Sequence, residues 1–355
     1  MKKNILVVDD SALMRMVMCD IIKSDERFNV EDRAQNGKEA LDLLMKKKYD
    51  AVVLDVNMPV MGGLELLKEL QTRKMPVRVM MASTDTREGA KVTMDALELG
   101  AIDFVHKSAN IKNNRTEEFQ KNFLETLYAV STSREPTFGK AFNLESIKES
   151  KKLVSMVRKH NIVGNKIVAI ASSTGGPKAL QAVIPKLPKG LNAPVVLVQH
   201  MPVGFTKSLA ERLDSLSEVT VSEAREGEIL QKGHVYLSKG GMHMNVTSDQ
   251  KKSCIHYSDE PSREGVKPCA NYMYESLINS PFDQVVCVVL TGMGMDGTAG
   301  IRNLKAKKQT FVIAQQENTC AVYGMPKSVV KAGIVNQIVE LDNVAQEIIM
   351  NVGVK

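Results

Sequence analysis

Short apolar runs alternate with amphipathic helical segments through most of this 355-residue chain, and this alternation restricts the fold more than any other feature. In the first third of the chain such runs occur at residues 5–8, 51–54, 77–81 and 102–105. Unbroken apolar runs are typical of strands covered on both faces, and strands separated by helices pair in parallel. We therefore predict an α/β fold whose first domain, residues 1–130, contains a doubly wound, five-stranded parallel sheet.

A second alternating series follows a stretch in which the strand pattern is lost. Residues 131–163 open with Ser131-Thr132-Ser133-Arg134-Glu135-Pro136 and continue as a polar segment, which predicts a linker. Apolar runs then return at 166–170, 195–198, 219–221, 235–237, 255–257, 285–290 and 311–313. Because the runs between 219 and 257 leave no room for helices, we predict an antiparallel hairpin at the edge of a second α/β sheet, within residues 164–355.

Composition excludes several classes of protein. The chain has a net charge of +6, 43% apolar and 25% charged residues, which are globular values. Basic residues between 148 and 159 lack a recognition motif, so no nucleic-acid partner is predicted. The five cysteines are scattered without a C-x-x-C pair, which indicates reduced thiols in a cytoplasmic protein. No apolar run is long enough for membrane insertion.

Carboxylates gather where the first and third strands of the first domain end. Asp9 and Asp10 follow the first strand, and Asp55 ends the third. Three carboxylates in one crevice repel one another unless a hard cation lies between them, and Mg²⁺ prefers such oxygen ligands. Ser83 and Lys107 end the next two strands, within reach of a phosphoryl group on Asp55. Taken singly, each of these residues is as well explained as a helix cap, a turn residue or a surface charge.

Hydroxyl, imidazole and carboxylate side chains follow three strands of the second domain. Ser173 lies between a strand and a helix, His200 ends the next strand, and Asp296 lies in a glycine-rich loop after a third. Together they outline a serine hydrolase site at one edge of a sheet. Singly, Ser173 and Asp296 are equally explained as helix N-caps, and His200 as a histidine bonded to backbone. Their order in the chain differs from the Ser…Asp…His order of the α/β-hydrolases, which excludes that fold.

Residues 1–130 resemble the response-regulator receiver domain. The matching positions are Asp9, Asp10, Asp55, Met58-Pro59, Gly63, Ser83 and Lys107. The resemblance implies that Asp55 receives a phosphoryl group from a histidine kinase with Mg²⁺ bound. Gly62 and Ser108 differ from the usual residues of that family, but neither removes a group that the reaction needs.

Residues 166–350 resemble the catalytic domain of chemotaxis protein-glutamate methylesterases. The matching runs are Ser173-Thr174-Gly175-Gly176, Gln199-His200-Met201-Pro202, Leu290-Thr291-Gly292-Met293-Gly294-Met295-Asp296-Gly297 and Val322-Tyr323-Gly324-Met325-Pro326. Two departures stand out. Ala171 replaces a usual glycine, and Lys267-Pro268-Cys269-Ala270-Asn271 replaces a stretch like Arg-Pro-Ser-Val-Asp, which we interpret as bearing on substrate choice more than on catalysis.

The second resemblance implies a role for each site residue. Ser173 would be the nucleophile, His200 the general base, Asp296 its orienting partner and the Met293 N–H an oxyanion donor, with no cofactor in the hydrolase site. The implied activity is hydrolysis of glutamyl methyl esters on the cytoplasmic helices of chemoreceptors, often with deamidation of receptor glutamines. The implied phosphodonor is the chemotaxis histidine kinase, and the unphosphorylated receiver would pack over the mouth of the active site.

Two other classes of protein compete with an enzyme. A phosphorylation-controlled adaptor would have no need for Ser173, His200 and Asp296 together. A transcriptional regulator would need a basic recognition helix, and the strand-rich second half offers no obvious one. The sequence therefore favours a phosphorylation-activated serine-type hydrolase.

Overall fold

The computed structural model describes residues 1–84, 87–107, 113–136, 164–249 and 252–355. The chain divides into two compact units, Met1–Gly139 and Lys140–Lys355, and each is described by itself. Most of the linker predicted at 131–163, and the basic cluster at 148–159, lie outside the described residues. The helix before the linker ends at Thr132, so it extends into the predicted linker.

The first unit contains a five-stranded parallel sheet in the order β2-β1-β3-β4-β5, which confirms the predicted fold. Its strands are β1 (Lys3–Val8), β2 (Phe28–Ala34), β3 (Ala51–Asp55), β4 (Val79–Thr84) and β5 (Asp103–Lys107). Its helices are α1 (Ala12–Lys23), α2 (Gly37–Leu44), α3 (Gly63–Thr72), α4 (Arg87–Glu98) and α5 (Glu117–Thr132). Successive strands are added on one side of β1 first and then, from β3 onward, on the other side. A crevice is therefore expected beyond the carboxyl ends of β1 and β3, where the strand order reverses.

The second unit contains a seven-stranded parallel sheet in the order β14-β13-β12-β6-β7-β9-β8. Its strands are β6 (Lys166–Ser172), β7 (Val195–Gln199), β8 (Thr220–Glu223), β9 (His234–Leu237), β12 (Gln284–Val289), β13 (Gln309–Gln315) and β14 (Gln337–Val339). Its helices are α6 (Gly176–Val183), α7 (Phe205–Leu216), α8 (Ala270–Ser276), α9 (Thr298–Lys305), α10 (Met325–Lys331) and α11 (Val344–Val352). The apolar residues of β6, β7 and β12 are fully buried, as strands covered on both faces must be. In this sheet the strand order reverses between β6 and β12.

The predicted antiparallel hairpin is present and forms a two-stranded sheet of its own, β10 (His243–Asp249) with β11 (Lys252–Ser258). The closely spaced strands β8 and β9 differ from the expectation, because they pair in parallel at the edge of the main sheet. The loop 224–233 makes this crossover without a helix. The Tyr236 hydroxyl ties the loop to its strand by accepting from the Gln231 N–H and donating to the Ile229 carbonyl.

Helices in the described part of the chain all fall short of the length and apolar character that crossing a bilayer requires.

Candidate active site and acidic cluster

Ser173 lies directly beyond β6, between the ends of β7 and β12. The His200 N–H donates to the Ser172 carbonyl at 3.1 Å, and the Ser173 N–H donates to the Thr291 carbonyl at 3.0 Å. A Cβ added to Gly292 would be 2.7 Å from the Ser173 Cβ, so the loop after β12 passes close to this serine. The register of three neighbouring strands thus brings Ser173, His200 and the 291–297 loop together.

The turn after Ser173 excludes the cap interpretation of this serine. Helix α6 has Gly175 as its N-cap, with φ +74 and no side-chain cap bond. A side chain at Gly175 would be strained at this φ, and one at Gly176 would collide with Gln199. The two glycines therefore allow a tight turn that leaves Ser173 partly exposed at the sheet edge.

Gln199 supports this turn, and the sequence interpretation missed its role. Its Nε2 donates to the carbonyls of Ser173 and His200, both at 3.0 Å, and its Oε1 accepts from Ser172 Oγ at 2.7 Å. The neighbouring hydroxyl of Ser172 is thereby engaged and fully buried. Ser173 is the serine of this pair that reaches the surface.

His200 and Asp296 form a direct contact. His200 Nε2 lies 2.8 Å from Asp296 Oδ2, and Asp296 is only 2% exposed. Because Nε2 is engaged by the carboxylate, Nδ1 is the nitrogen left to accept a proton. Burial alone would raise the pKa of Asp296, but hydrogen bonds from His200, Cys269 and Ala270 outweigh burial and lower the pKa below its usual value.

Asp296 is not the N-cap of the helix that follows it. That helix, α9, has Gly297 as its N-cap, with φ +88. The carboxylate instead accepts from the N–H groups of Ala270 at 2.6 Å and Asn271 at 3.0 Å, at the start of α8. Asp296 therefore both contacts His200 and caps α8, a helix about 25 residues earlier in the chain, which no local pattern predicts.

Met293 lies in the loop between Thr291 and Asp296 and is partly buried. The loop is held by the Thr291 N–H, which donates to Gln315 Oε1 at 2.7 Å, and by the Gly292 N–H, which donates to the Val322 carbonyl at 3.1 Å. Within the described residues, nothing accepts a hydrogen bond from the Met293 N–H. It is therefore available to a ligand at this edge of the sheet.

The last three residues of the stretch Lys267–Asn271 contact Asp296, which changes the interpretation of its departure from the family pattern. Cys269 Sγ donates to Asp296 Oδ1 at 3.0 Å, and the next two N–H groups bond the same carboxylate. The departure therefore changes residues that contact Asp296, one of the three predicted catalytic residues with Ser173 and His200. The sequence offered no signal for this contact, since it joins segments that are distant in the chain.

In the first unit, Asp9, Asp10 and Asp55 each offer a carboxylate oxygen within 4.8 Å of the others. Lys107 Nζ lies 2.9 Å from Asp9 Oδ2 and 2.7 Å from Asp55 Oδ1. Burial raises the pKa of Asp55, and the neighbouring Asp9 adds to this, while Lys107 and the Val56 N–H oppose it. The strand ends of β1, β3 and β5 thus gather the predicted acidic cluster and its lysine.

Ser83 makes its hydrogen bonds to α4. Its hydroxyl donates to the Gly89 carbonyl at 3.3 Å and accepts from Thr93 Oγ1 at 2.7 Å. Ser83 follows Ala82, which pairs with Asp55 in the register of β3 and β4. The residue therefore lies one position beyond Asp55 on the neighbouring strand, with its hydroxyl engaged by the helix.

Comparison with known proteins identifies both units. Residues 168–348 match the family model for CheB methylesterase, and residues 5–116 match the model for the response regulator receiver domain. Proteins named protein-glutamate methylesterase/protein-glutamine glutaminase from Syntrophomonas wolfei and Bacillus subtilis are each 39% identical to the chain. The match covers 98% of the chain and 99% of the first relative, and 97% of the chain and 97% of the second.

A solved structure also matches the second unit. The catalytic domain of Thermotoga maritima CheB methylesterase is 41% identical, with a TM-score of 0.51, and the match covers 53% of this chain and 98% of that one. The two domain types occur in the order predicted from the sequence. The chain therefore belongs to the family of receiver-controlled protein-glutamate methylesterases/protein-glutamine glutaminases.

Proposed function

We propose that this chain hydrolyses glutamyl methyl esters on the cytoplasmic helices of chemoreceptors, and that it deamidates receptor glutamines at the same site. The observation that carries the proposal is the 2.8 Å contact between His200 Nε2 and Asp296 Oδ2, next to Ser173 on neighbouring strand ends. A module that only binds a partner has no need for this arrangement.

Each residue has a chemical role in this proposal. His200 Nδ1 takes the proton of Ser173 Oγ as the oxygen attacks the ester carbonyl, and Asp296 holds the imidazole and stabilises its charged form. The Met293 N–H donates to the tetrahedral oxyanion, an interaction worth roughly 3–4 kcal/mol. As the tetrahedral intermediate collapses, His200 gives its proton to the leaving methoxide, which departs as methanol, or to the leaving NH₂ group of an amide substrate, which departs as ammonia. Water hydrolyses the acyl-serine by the same path.

Active-site labelling tests the assignment of the nucleophile. We expect a fluorophosphonate to label the chain once and to map to Ser173, with Ser173→Ala unlabelled and at least about 10³-fold slower in methanol release from methyl-labelled receptor. Ser172→Ala is the matched control, since it removes the adjacent hydroxyl, and it should still be labelled. Labelling that survives in Ser173→Ala and is lost in Ser172→Ala would contradict the assignment.

We also propose that Asp55 accepts a phosphoryl group from a chemotaxis histidine kinase. The oxygens of Asp9, Asp10 and Asp55 are the hard donors that Mg²⁺ prefers, and their spacing suits a single ion. When bound, Mg²⁺ would offset negative charge as the phosphoryl group approaches. Lys107, whose Nζ lies 2.7 Å from Asp55 Oδ1, would pair with a phosphoryl oxygen, and Ser83 would leave the Gly89 carbonyl to donate to another.

The proposed domain boundaries are 1–130 for the receiver, 131–163 for the linker and 164–355 for the catalytic domain. We propose a cytoplasmic location, where both the kinase and the receptor helices are accessible. Phosphorylation of Asp55 then controls hydrolysis at Ser173, and removal of the receiver tests this control.

A further inference from the structure

The Asp296 carboxylate is held by more than its contact with His200. Oδ2 faces His200 and the Ala270 N–H, while Oδ1 accepts from the N–H groups of Asn271 and Gly297. Oδ1 also accepts from Cys269 Sγ at 3.0 Å. Within the described residues, Cys269 and His200 supply the two side-chain contacts of this carboxylate, one on each oxygen.

Cys269 is itself held from its other side. The residue is fully buried, and its N–H donates to His243 Nδ1 at 3.1 Å. His243 Nε2 faces the Glu260 carbonyl at 3.1 Å, so the ring is a neutral tautomer that donates through Nε2 and accepts through Nδ1. The His243 ring lies against Tyr272, with ring centroids 4.6 Å apart. The backbone N–H of Cys269 is therefore held by a contact that does not involve Asp296.

The thiol can act only as a donor towards this carboxylate. Burial, together with the charge of Asp296, raises the pKa of Cys269 to about 12, so its single proton stays on sulfur. We propose that Cys269 is a positioning residue, whose S–H bond to Oδ1 fixes the rotation of the Asp296 carboxylate and so directs Oδ2 at His200 Nε2. The proposal rests on the roles that we assign to His200 and Asp296.

The consequence of losing the thiol follows from the same contacts. Cys269→Ala leaves Oδ1 with two backbone donors and a small void into which the carboxylate can rotate, so His200 is held less well. We expect kcat to fall about tenfold, since a hydrogen bond to a charged group is lost. KM should stay within about twofold, because the thiol does not touch the substrate. Cys269→Ser restores an O–H donor at the same position and should recover activity to within about threefold of wild type.

The experiment measures kcat and KM for methanol release by the phosphorylated full-length chain and both variants. Cys287→Ala is the matched control, because Cys287 is a fully buried cysteine of β12 and its loss removes the same volume from the same unit. Thermal melting shows whether each variant folds. The proposal is overturned if Cys269→Ala keeps the wild-type kcat, if Cys269→Ser is as slow as Cys269→Ala, or if Cys287→Ala loses kcat to the same degree.

A second measurement does not depend on turnover. The proton resonance of His200 Nε2–H, identified by its absence in His200→Gln, should move in Cys269→Ala and stay in place in Cys269→Ser and Cys287→Ala. A resonance that stays in place in Cys269→Ala contradicts the proposal even in an active enzyme. If the resonance moves as expected but Ser173→Ala keeps full activity, the positioning holds and the proposed function is the part that fails.

Discussion

In the proposed mechanism, Asp296 combines a chemical and a structural function in one carboxylate. It contacts His200, and it also accepts from the first N–H groups of α8 and from Cys269. A buried anion is tolerated only when donors surround it, and five donors do so here. The residue that we propose orients His200 therefore also fixes α8 to the 291–297 loop.

This double function leads to a specific prediction for Asp296→Asn. An amide would turn an NH₂ group toward donors that now face a carboxylate, so we expect the variant to lose about 1–3 kcal/mol of unfolding free energy as well as most of its turnover. Thermal melting and methanol release measure the two effects. Asp342→Asn is the matched control, because the Asp342 side chain is 82% exposed and its removal should change neither.

The difference in stability between wild type and Asp296→Asn should also depend on pH. The pKa of Asp296 is lowered in the folded state, so its ionised form contributes stability at pH values above the ordinary aspartate pKa of 3.8. That contribution is lost as the pH falls through the lowered, folded-state value. The stability gap between wild type and Asp296→Asn should therefore be full at neutral pH and narrow in acid. A gap that widens in acid would contradict this account.

The effect of Asp55→Asn on the stability of the folded chain should have the opposite sign to that of Asp296→Asn. Its pKa is raised, chiefly by burial, so the ionised carboxylate is less stable in the folded chain than in the unfolded chain. We expect Asp55→Asn to stabilise the first unit at pH 7, with the gain shrinking as the pH falls toward 3.8. Adding Mg²⁺ should also shrink the gain, because it stabilises only the wild type.

Thermal melting across pH and Mg²⁺ concentration measures this effect. Asp50→Asn is a suitable control, since Asp50 is paired with Lys3 at a partly exposed position. A destabilised Asp55→Asn at pH 7 without Mg²⁺ would show that Lys107 outweighs burial at this carboxylate.

At the residue scale, the sequence predicted the residues whose position follows from a strand end. Ser173, His200 and Asp296 each follow an apolar run, and parallel strands place their carboxyl ends together. Gln199 and Cys269 could not be found this way. The contacts of Gln199 depend on the register between β6 and β7, and those of Cys269 on how the segment before α8 packs against the 291–297 loop.

At the scale of elements, apolar runs predicted the strands well where both faces are covered. The sequence interpretation was wrong about β8 and β9, because it assumed that a parallel crossover requires a helix, whereas the loop 224–233 suffices. It also gave no position for β2, which has no unbroken run of buried residues, and it missed β14, which has three residues and buries only Val339. A strand this short is defined by its pairing with β13, and pairing leaves no periodic pattern in the sequence.

At the scale of the whole molecule, the joining of a receiver to a catalytic domain in one chain predicts how activity is controlled. Each unit has its own sheet and its own buried residues, and a separate structure of the related catalytic domain is known. The proposed linker of a few tens of residues would keep the local concentration of the receiver near the catalytic domain high, so a weak restraint would suffice. A change of a few kcal/mol between restrained and free arrangements alters activity by orders of magnitude.

Deletion of residues 1–130 should therefore raise basal methanol release, and a small-molecule phosphodonor should no longer stimulate it. A near-dianionic group at Asp55 would draw Lys107 and Ser83 toward it and reshape the receiver surface, which is how phosphorylation would release the restraint. Full-length Asp55→Ala is the matched control, since it keeps the receiver but cannot be phosphorylated there, and it should stay at the low basal rate. A truncated chain no faster than Asp55→Ala would mean that the receiver activates or docks the enzyme rather than restraining it.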